Sequence, residues 1–166
     1  QVADGNGGSD TQAIAVTVSN VNEAPVITSN GGGASAAVSI AENATAVTTV
    51  ASSDVDGGAP IYSIAGGADA ALFTINSSTG ALSFIAAPDF EAPADAGADN
   101  VYDVIVRASD GSLSDTQAIA VTVTNINDNA PVITSNGSGA NAAVSVAENG
   151  STVTTVTATD ADLPAQ

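Results

Sequence analysis

Most acidic residues of this chain are clustered at a few points instead of being spread along its length. They stand at predicted strand ends and between predicted units, in five short motifs. These motifs are Ala41-Glu42-Asn43, Asp54-Val55-Asp56, Asp89-Phe90-Glu91, Ser109-Asp110-Gly111 and Asn125-Ile126-Asn127-Asp128-Asn129. Carboxylates held within about 4–6 Å of one another repel unless a cation or a proton intervenes. Because Ca²⁺ takes about six to eight oxygen ligands from carboxylates, amides and carbonyls, the motifs offer the ligands of a calcium site.

Other site chemistries are poorly supported, because the chain has no histidine or cysteine and only one basic residue, Arg107. Zinc lacks its usual ligands, and disulfides cannot reinforce the fold. Asp89 and Glu91 could in principle serve as an acid–base pair. However, no aromatic platform or long loop is present to shape a substrate pocket, so the sequence predicts a protein that is not an enzyme.

The net charge of −17 limits the possible partners. Nucleic acids and anionic membrane surfaces attract cations and would repel this chain. No apolar run approaches the roughly 18 residues of a membrane span, so membrane insertion is not expected. Small side chains bury little apolar area, and most of the apolar residues are Ala and Val. Bound metal is therefore the expected source of rigidity.

Internal repetition organises the chain. The segment SDTQAIAVTV occupies residues 9–18 and again 114–123, and APVITSN occupies residues 24–30 and again 130–136. Residues 36–50 return with conservative changes as residues 142–156. Self-similarity at one period is the signature of a repeat array. We therefore predict the C-terminal part of one repeat in residues 1–24, a complete repeat in residues 25–130 and the N-terminal part of a third in residues 131–166.

A complete repeat of this size suits an all-β, immunoglobulin-like sandwich. Val, Ile, Thr and aromatic residues alternate with other residues between Gly, Asn and Pro breakers, which is typical of strands. Strands are predicted at residues 36–40, 46–52, 60–64, 72–75, 81–85, 101–108 and 117–124. Four further acids match no motif and are interpreted as surface charge: Asp69, Asp95, Asp99 and Asp103. Arg107 is expected to face outward beside one of the acids.

The acidic motifs follow a fixed order: Glu-Asn, Asp-x-Asp, Asp-Phe-Glu, Ala-x-Asp-Gly and finally NINDNAP at residues 125–131. A single motif of this kind also suits an ordinary turn, but the complete, repeated series resembles a cadherin repeat. NINDNAP is its most specific part, and the resemblance covers essentially the whole chain. It implies a cadherin-like Greek-key β-sandwich in a tandem array, with Ca²⁺ bound where successive repeats meet.

In the cadherin family the calcium ligands of one junction come from both repeats. The second junction lies between residues 25–130 and residues 131–166. The resemblance assigns to it Glu42, Asp89, Glu91, Asn125, Asn127, Asp128, the backbone carbonyl of Asn129, Asp160 and Asp162. The first junction lies between residues 1–24 and residues 25–130. The resemblance assigns to it, from the linker and the following repeat, the ligands Asn22, Glu23, Asp54, Asp56 and Asp110.

The chain also departs from the cadherin pattern. Asn125 and Asn20 stand where the family usually has Asp, and the first linker is one residue shorter, with Glu23 in the position of Asp128. Fewer charges imply weaker calcium binding or fewer ions at the first junction. The absence of Trp and Lys resembles the cadherin-like repeats of large bacterial secreted adhesins or extracellular filament proteins more than animal cadherins.

Together these features predict a structural or adhesive stalk that is extracellular, at the cell surface or secreted, and is made rigid by Ca²⁺. Near-identical copies with short loops favour this spacer role. Two alternatives stay open: a specific sugar- or protein-binding module of an adhesin, and a filament subunit joined by strand exchange between chains. The expected partners are neighbouring repeats or identical subunits and, for the binding module, a cell-surface glycan or protein.

Overall fold

The computed structural model describes residues 1–162 and consists almost entirely of strands, turns and extended segments. The strands are β1 (Val2–Ala3), β2 (Ser9–Asp10), β3 (Val26–Ile27), β4 (Ser35–Ala41), β5 (Ala46–Thr49), β6 (Ser52–Ser53), β7 (Ile61–Gly66), β8 (Phe73–Ile75), β9 (Ala81–Phe84), β10 (Val101–Ser109), β11 (Ser114–Thr124), β12 (Val132–Ile133) and β13 (Ala158–Thr159). A single 3₁₀ turn, Ala70–Leu72, precedes β8. Residues 163–166, the end of the predicted third repeat, lie outside the described residues. Within residues 1–162, no helix has the length and apolarity needed to cross a membrane.

Residues 25–130, called the central unit below, form a β-sandwich. One sheet has the strand order β4-β11-β10-β7, and the other has the order β5-β9-β8. Strand β4 runs parallel to β11, with Ala36 opposite Ile119 and Ile40 opposite Val123, whereas the other pairs are antiparallel. Strand β3 pairs with β6. Because β3 and β4 follow each other in the chain, the start of the unit contributes to two different sheets.

The all-β prediction is confirmed, with two differences in detail. Within the central unit, the strand expected at residues 46–52 is broken into β5 and β6, and β3 was not predicted. Two residues are too few for a period-two pattern to be visible. Ile27 is nevertheless almost completely buried, so β3 is held by packing in addition to its short ladder with β6.

The core lies between the two sheets and follows the predicted alternation. Its members from β10 and β11 are Tyr102, Val104, Val106, Ala108, Ile119, Val121 and Val123. The opposite sheet contributes Phe73 and Phe84, whose rings are stacked at 4.3 Å between centroids. Phe84 also meets Tyr102 edge-on at 5.0 Å, a favourable aromatic geometry. Three of the five aromatic residues of the chain thus join the two sheets.

A buried amide fixes the crossing between β3 and β4. The Gln117 side chain is 0% exposed and donates to the carbonyl oxygens of Gly33 at 2.9 Å and Ser29 at 3.3 Å. Its own oxygen accepts a hydrogen bond from Asn30 Nδ2 at 3.2 Å. Buried polar groups must find partners because an unmet one is costly. Gln117 therefore holds the loop that carries the chain from one sheet to the other.

The interpretation of Asp69 and Asp95 as surface charge was wrong, because both side chains are buried. Asp69 accepts hydrogen bonds from the backbone N–H groups of Ala96 at 2.7 Å and Asp103 at 2.8 Å. Charge-assisted bonds of this kind offset the cost of burying a carboxylate. Arg107 faces outward, as predicted, and its Nε donates to Ser63 Oγ at 3.3 Å.

The Asp95→Asn variant should be less stable at neutral pH by about 1–3 kcal/mol, because each carboxylate oxygen accepts a backbone N–H group and asparagine would replace one of these oxygens with an NH2 donor. The donors are Asp99 and Asn100. Burial acts to raise the pKa of Asp95, but these donors outweigh it and lower the pKa. The stabilisation is therefore complete above the unfolded-state pKa and is lost as the pH falls through the lower folded-state pKa.

Urea denaturation at about pH 6 and about pH 2.5 measures this difference. The gap between wild type and Asp95→Asn should shrink at the lower pH. The matched control is Asp103→Asn, since Asp103 is exposed and its carboxylate makes no hydrogen bond within residues 1–162; a change within about 0.5 kcal/mol is expected. A gap that is equally large at both pH values would contradict the role assigned to the Asp95 carboxylate.

Candidate metal centre at the second junction

Glu42 is buried at the second junction and is bonded to two other segments there. It follows directly after β4, and its backbone N–H donates to the Thr124 carbonyl oxygen at 3.0 Å, which extends the pairing with β11. The side chain is only 3% exposed. Its two carboxylate oxygens accept the backbone N–H groups of Phe90 and Ile126, each at 2.8 Å. Glu42 therefore ties the Asp-Phe-Glu motif and the linker to the end of the sandwich.

Three carboxylates converge at this point. Glu42, Glu91 and Asp128 each offer an oxygen, and these oxygens all lie within 4.8 Å of one another. Glu42 is buried, Glu91 is half-buried and Asp128 is exposed, so the group opens to solvent on one side. Burial raises the pKa of Glu91, and the nearby charges of Glu42, Asp162 and Asp128 raise it further. Like charges at this distance favour either a proton or a bound cation.

The segment after the linker contributes to the same place. The Asp162 carboxylate accepts two hydrogen bonds from Asn129, from its backbone N–H at 2.7 Å and from its Nδ2 at 2.9 Å. Asn129 Nδ2 also donates to Asp128 Oδ1 at 2.9 Å. Asp160 Oδ1 accepts the backbone N–H of Asp162 at 3.1 Å. Oxygen atoms that could bind a metal, from residues on both sides of the linker, thus lie in one cluster.

Two of the predicted ligands are placed less decisively. Asp89 Oδ1 accepts the backbone N–H groups of Glu91 at 3.0 Å and Ala92 at 3.2 Å, so it shapes the turn that presents Glu91. Asn127 is exposed, and its side chain makes no hydrogen bond within residues 1–162. Neither residue belongs to the group of three converging carboxylates, and the assignment of every ligand at this junction stays a prediction.

Two amides at this junction were not predicted to have a role. Asn43 Nδ2 donates to Asp128 Oδ2 at 2.6 Å, and Asn100 Nδ2 donates to the Phe90 carbonyl oxygen at 2.9 Å. Both residues have positive φ, 64° and 63°. Asparagine adopts this conformation more readily than most other residues. The Glu-Asn pair at 42–43 was visible in the sequence, but nothing in the sequence near Asn100 indicated its contact.

The first junction gathers its predicted residues in a similar way. Asp56 accepts hydrogen bonds from Asn20 Nδ2 and from the Glu23 backbone N–H, the latter at 2.6 Å. Asp110 Oδ2 accepts Asn22 Nδ2 at 2.7 Å. Asp54 Oδ1 accepts the Asp56 backbone N–H at 2.9 Å. The structure thus joins the linker of the leading segment, residues 1–24, to the Asp-x-Asp motif of the central unit.

The pKa values of the carboxyl groups at the first junction are shifted, one upward and two downward. A hydrogen bond with Asp56 raises the pKa of Glu23, and burial and the charges of Asp56 and Asp54 act in the same direction. Donation from the Glu23 backbone N–H and from Asn20 lowers the pKa of Asp56. The N–H groups of Leu113 and Ser112, together with Asn22, lower the pKa of Asp110. These patterns show a compact set of acids with several donors already in place.

With this geometry in hand, comparison with known proteins identifies the type of domain. Rabbit cadherin-16 is 32% identical over 132 residues, which cover 72% of this chain and 15% of cadherin-16. The EC1-2 structure of human protocadherin-24 matches with a TM-score of 0.65 and 26% identity, covering 87% of this chain and 62% of that one. The fold is cadherin-like.

A further solved structure supports the cadherin-like fold alone. Mouse cadherin-23 EC22-24 matches with a TM-score of 0.64 and 23% identity, covering 87% of this chain and 46% of that chain. No protein-family model matches the sequence. The chain spans about a seventh of cadherin-16 and less than two thirds of either matched structure. The comparisons therefore establish a cadherin-like domain, while the activity of the whole protein is a matter for proposal.

Proposed function

We propose that this chain is a segment of an extracellular, calcium-stiffened stalk, in which Ca²⁺ is bound where one cadherin-like repeat meets the next. The observation that carries the proposal is the convergence of Glu42, Glu91 and Asp128 within 4.8 Å. Asp162 is bonded to the same linker through Asn129. In this proposal residues 1–24, 25–130 and 131–166 belong to three successive repeats.

The donor set fits a hard divalent cation. The groups available are carboxylate, amide and backbone carbonyl oxygens, which are the ligands that Ca²⁺ prefers. The proposed ligands at the second junction are Glu42, Asp89, Glu91, Asn125, Asn127, Asp128, Asn129, Asp160 and Asp162. Those at the first junction are Asn22, Glu23, Asp54, Asp56 and Asp110. When bound, Ca²⁺ would supply the positive charge that these clustered acids lack.

Two residues, Glu42 and Asn129, connect the proposed calcium site to the linker between the repeats. Glu42 holds the end of the sandwich against the linker by accepting the Ile126 backbone N–H. Asn129 carries the linker to Asp162 in the next segment. A set of ligands that is complete only when both segments are in place makes binding energy available to order the joint. The angle between repeats is therefore coupled to occupancy of the site.

Adhesion and location follow from the cadherin-like fold. We infer that the chain works outside the cell, with neighbouring repeats of the same chain as its first partners, and that it does not act as an enzyme. A composition without Trp, Cys or Lys supports a further proposal, that the parent is a large secreted bacterial adhesin or filament protein. The identity of residues 9–18 and 114–123 favours a spacer over a specific binding module.

Calorimetric titration with CaCl₂ tests the proposal. Dissociation constants of about 10⁻⁴–10⁻³ M are expected, the range of extracellular calcium modules. At 100 times the dissociation constant, ligand binding adds about 2.7 kcal/mol, which corresponds to a rise in Tm of roughly 10–20 °C for a unit of this size. Mg²⁺ at equal concentration is the control and should bind more weakly, because it demands a smaller octahedral site. A Tm that is the same in calcium and in chelator would refute the proposal.

A further inference from the structure

One amide bridges the second junction. Asn125 lies immediately after β11, and its Nδ2 donates to Glu91 Oε1 at 2.6 Å and to the backbone carbonyl oxygen of Asp162 at 3.3 Å. Glu91 belongs to the central unit and Asp162 to the segment after the linker. A single side chain with two N–H donors is thus bonded to both sides of the junction. An ionised aspartate at this position could accept hydrogen bonds but could not donate them.

A backbone donor completes the connection. The Asn129 N–H, four residues further along the linker, donates to Asp162 Oδ2 at 2.7 Å. Asp162 is therefore held through its carbonyl oxygen by Asn125 and through its carboxylate by Asn129. Hydrogen bonds to an ionised carboxylate are among the stronger hydrogen bonds in proteins.

A related arrangement occurs at the first junction, although there the asparagine amide donates to the carboxylate of the aspartate and not to its backbone carbonyl. Asn20 corresponds to Asn125 and Asp56 to Asp162 in the repeated sequence. Asn20 Nδ2 donates to Asp56 Oδ1, and the Glu23 N–H donates to Asp56 Oδ2 at 2.6 Å. The first linker is one residue shorter than the second, yet both use an asparagine amide and a backbone N–H to hold the second aspartate of the following Asp-x-Asp motif.

We propose that Asn125 and Asn20 are positioning residues that latch each linker to the following unit without a cation. The amide adds no charge to a crowded group of acids, and it supplies donors that a carboxylate at that position would lack. These hydrogen bonds restrict the joint in the absence of metal, and binding of Ca²⁺ would restrict it further. This inference goes beyond the calcium proposal and does not depend on it.

Distances across the second junction test the latch. The chain has no cysteine, so cysteines introduced at the exposed positions Thr74 and Thr155 take spin labels at these two places only. Double electron–electron resonance is measured in chelator for the labelled chain and for the same chain with Asn125→Ala or Asn125→Asp. We expect a narrow distance distribution with Asn125. Because a hydrogen bond to a charged group contributes roughly one tenfold step in an equilibrium constant, both variants should raise the open population about tenfold.

Asn141→Ala is the matched control in chelator, since Asn141 is exposed, belongs to neither proposed ligand set, and makes no side-chain hydrogen bond within residues 1–162. It should leave the distribution narrow. The Tm of the central unit should be unchanged in all variants, which separates a positioning role from a general effect on folding. Distributions that are equally narrow in Asn125→Ala and in the parent chain, or equally broad in the parent chain and both variants, would overturn the latch. Calcium titration of the parent chain reports on the calcium proposal separately, so either idea can fail alone.

Discussion

Calcium affinity at the second junction should fall by more than about 100-fold in the Glu42→Ala variant, since loss of a residue that merely supports metal ligands already costs about 10–100-fold. Glu42 provides one of the three converging carboxylates and also accepts the backbone N–H groups of Phe90 and Ile126. Its removal therefore takes away a ligand and frees two segments that carry other ligands. Calorimetric titration measures the affinity, and the calcium-dependent rise in Tm should disappear with it.

Two further variants make this result specific. Glu42→Gln keeps an oxygen acceptor but removes the charge, and it should also lose most of the calcium affinity. Glu148→Ala is the matched control, because Glu148 is the counterpart of Glu42 in the repeated segment 142–156 and is exposed. Calcium binding at the second junction should be unchanged by this substitution. Wild-type affinity in Glu42→Ala would show that the group of three carboxylates is not the metal centre.

The Gln117→Ala variant should be destabilised by about 2–4 kcal/mol, because several polar groups lose their buried partners at once. The carbonyl oxygens of Ser29 and Gly33 and the Nδ2 of Asn30 all bond to the Gln117 side chain. Removing the amide also leaves a cavity at the crossing between β3 and β4. Chemical denaturation of the central unit measures the loss as a lower midpoint at an unchanged slope.

Gln12→Ala provides the control for this prediction. Gln12 occupies the same place in the same ten-residue sequence, but its side chain is exposed. We expect a change within about 0.5 kcal/mol for a surface substitution of this kind. If the two variants were equally stable, the hydrogen bonds of Gln117 would have no net effect on stability.

Much of the fold was readable from the sequence. The alternation of Tyr102, Val104, Val106 and Ala108 predicted which face of β10 is buried, and these residues form the core. Such patterns are readable because successive side chains of a strand point to opposite faces. The order of the acidic motifs also indicated which segments meet at the second junction, where Glu42, Glu91 and Asp128 do converge.

The burial of Asp69 and Asp95 could not be predicted in this way. Their environment depends on backbone N–H groups from other segments, such as that of Asp103 for Asp69. A turn rich in Asp looks the same in sequence whether its carboxylates face solvent or accept buried donors. The latch formed by Asn125 has the same origin, since the sequence showed only an unexpected amide and not the two oxygens to which it donates.

The two copies of the repeated ten-residue sequence show which features depend on the local sequence and which depend on the tertiary structure. Residues 9–18 and 114–123 are identical, and their alternation determines which side chains can share a face. Yet the second copy lies within the strand Ser114–Thr124, whereas the first forms a strand only at Ser9–Asp10. Val16 is 81% exposed, while its counterpart Val121 is 0% exposed. The difference arises because β4 and β10 flank the second copy, and a strand is stabilised by its neighbours more than by its own residues.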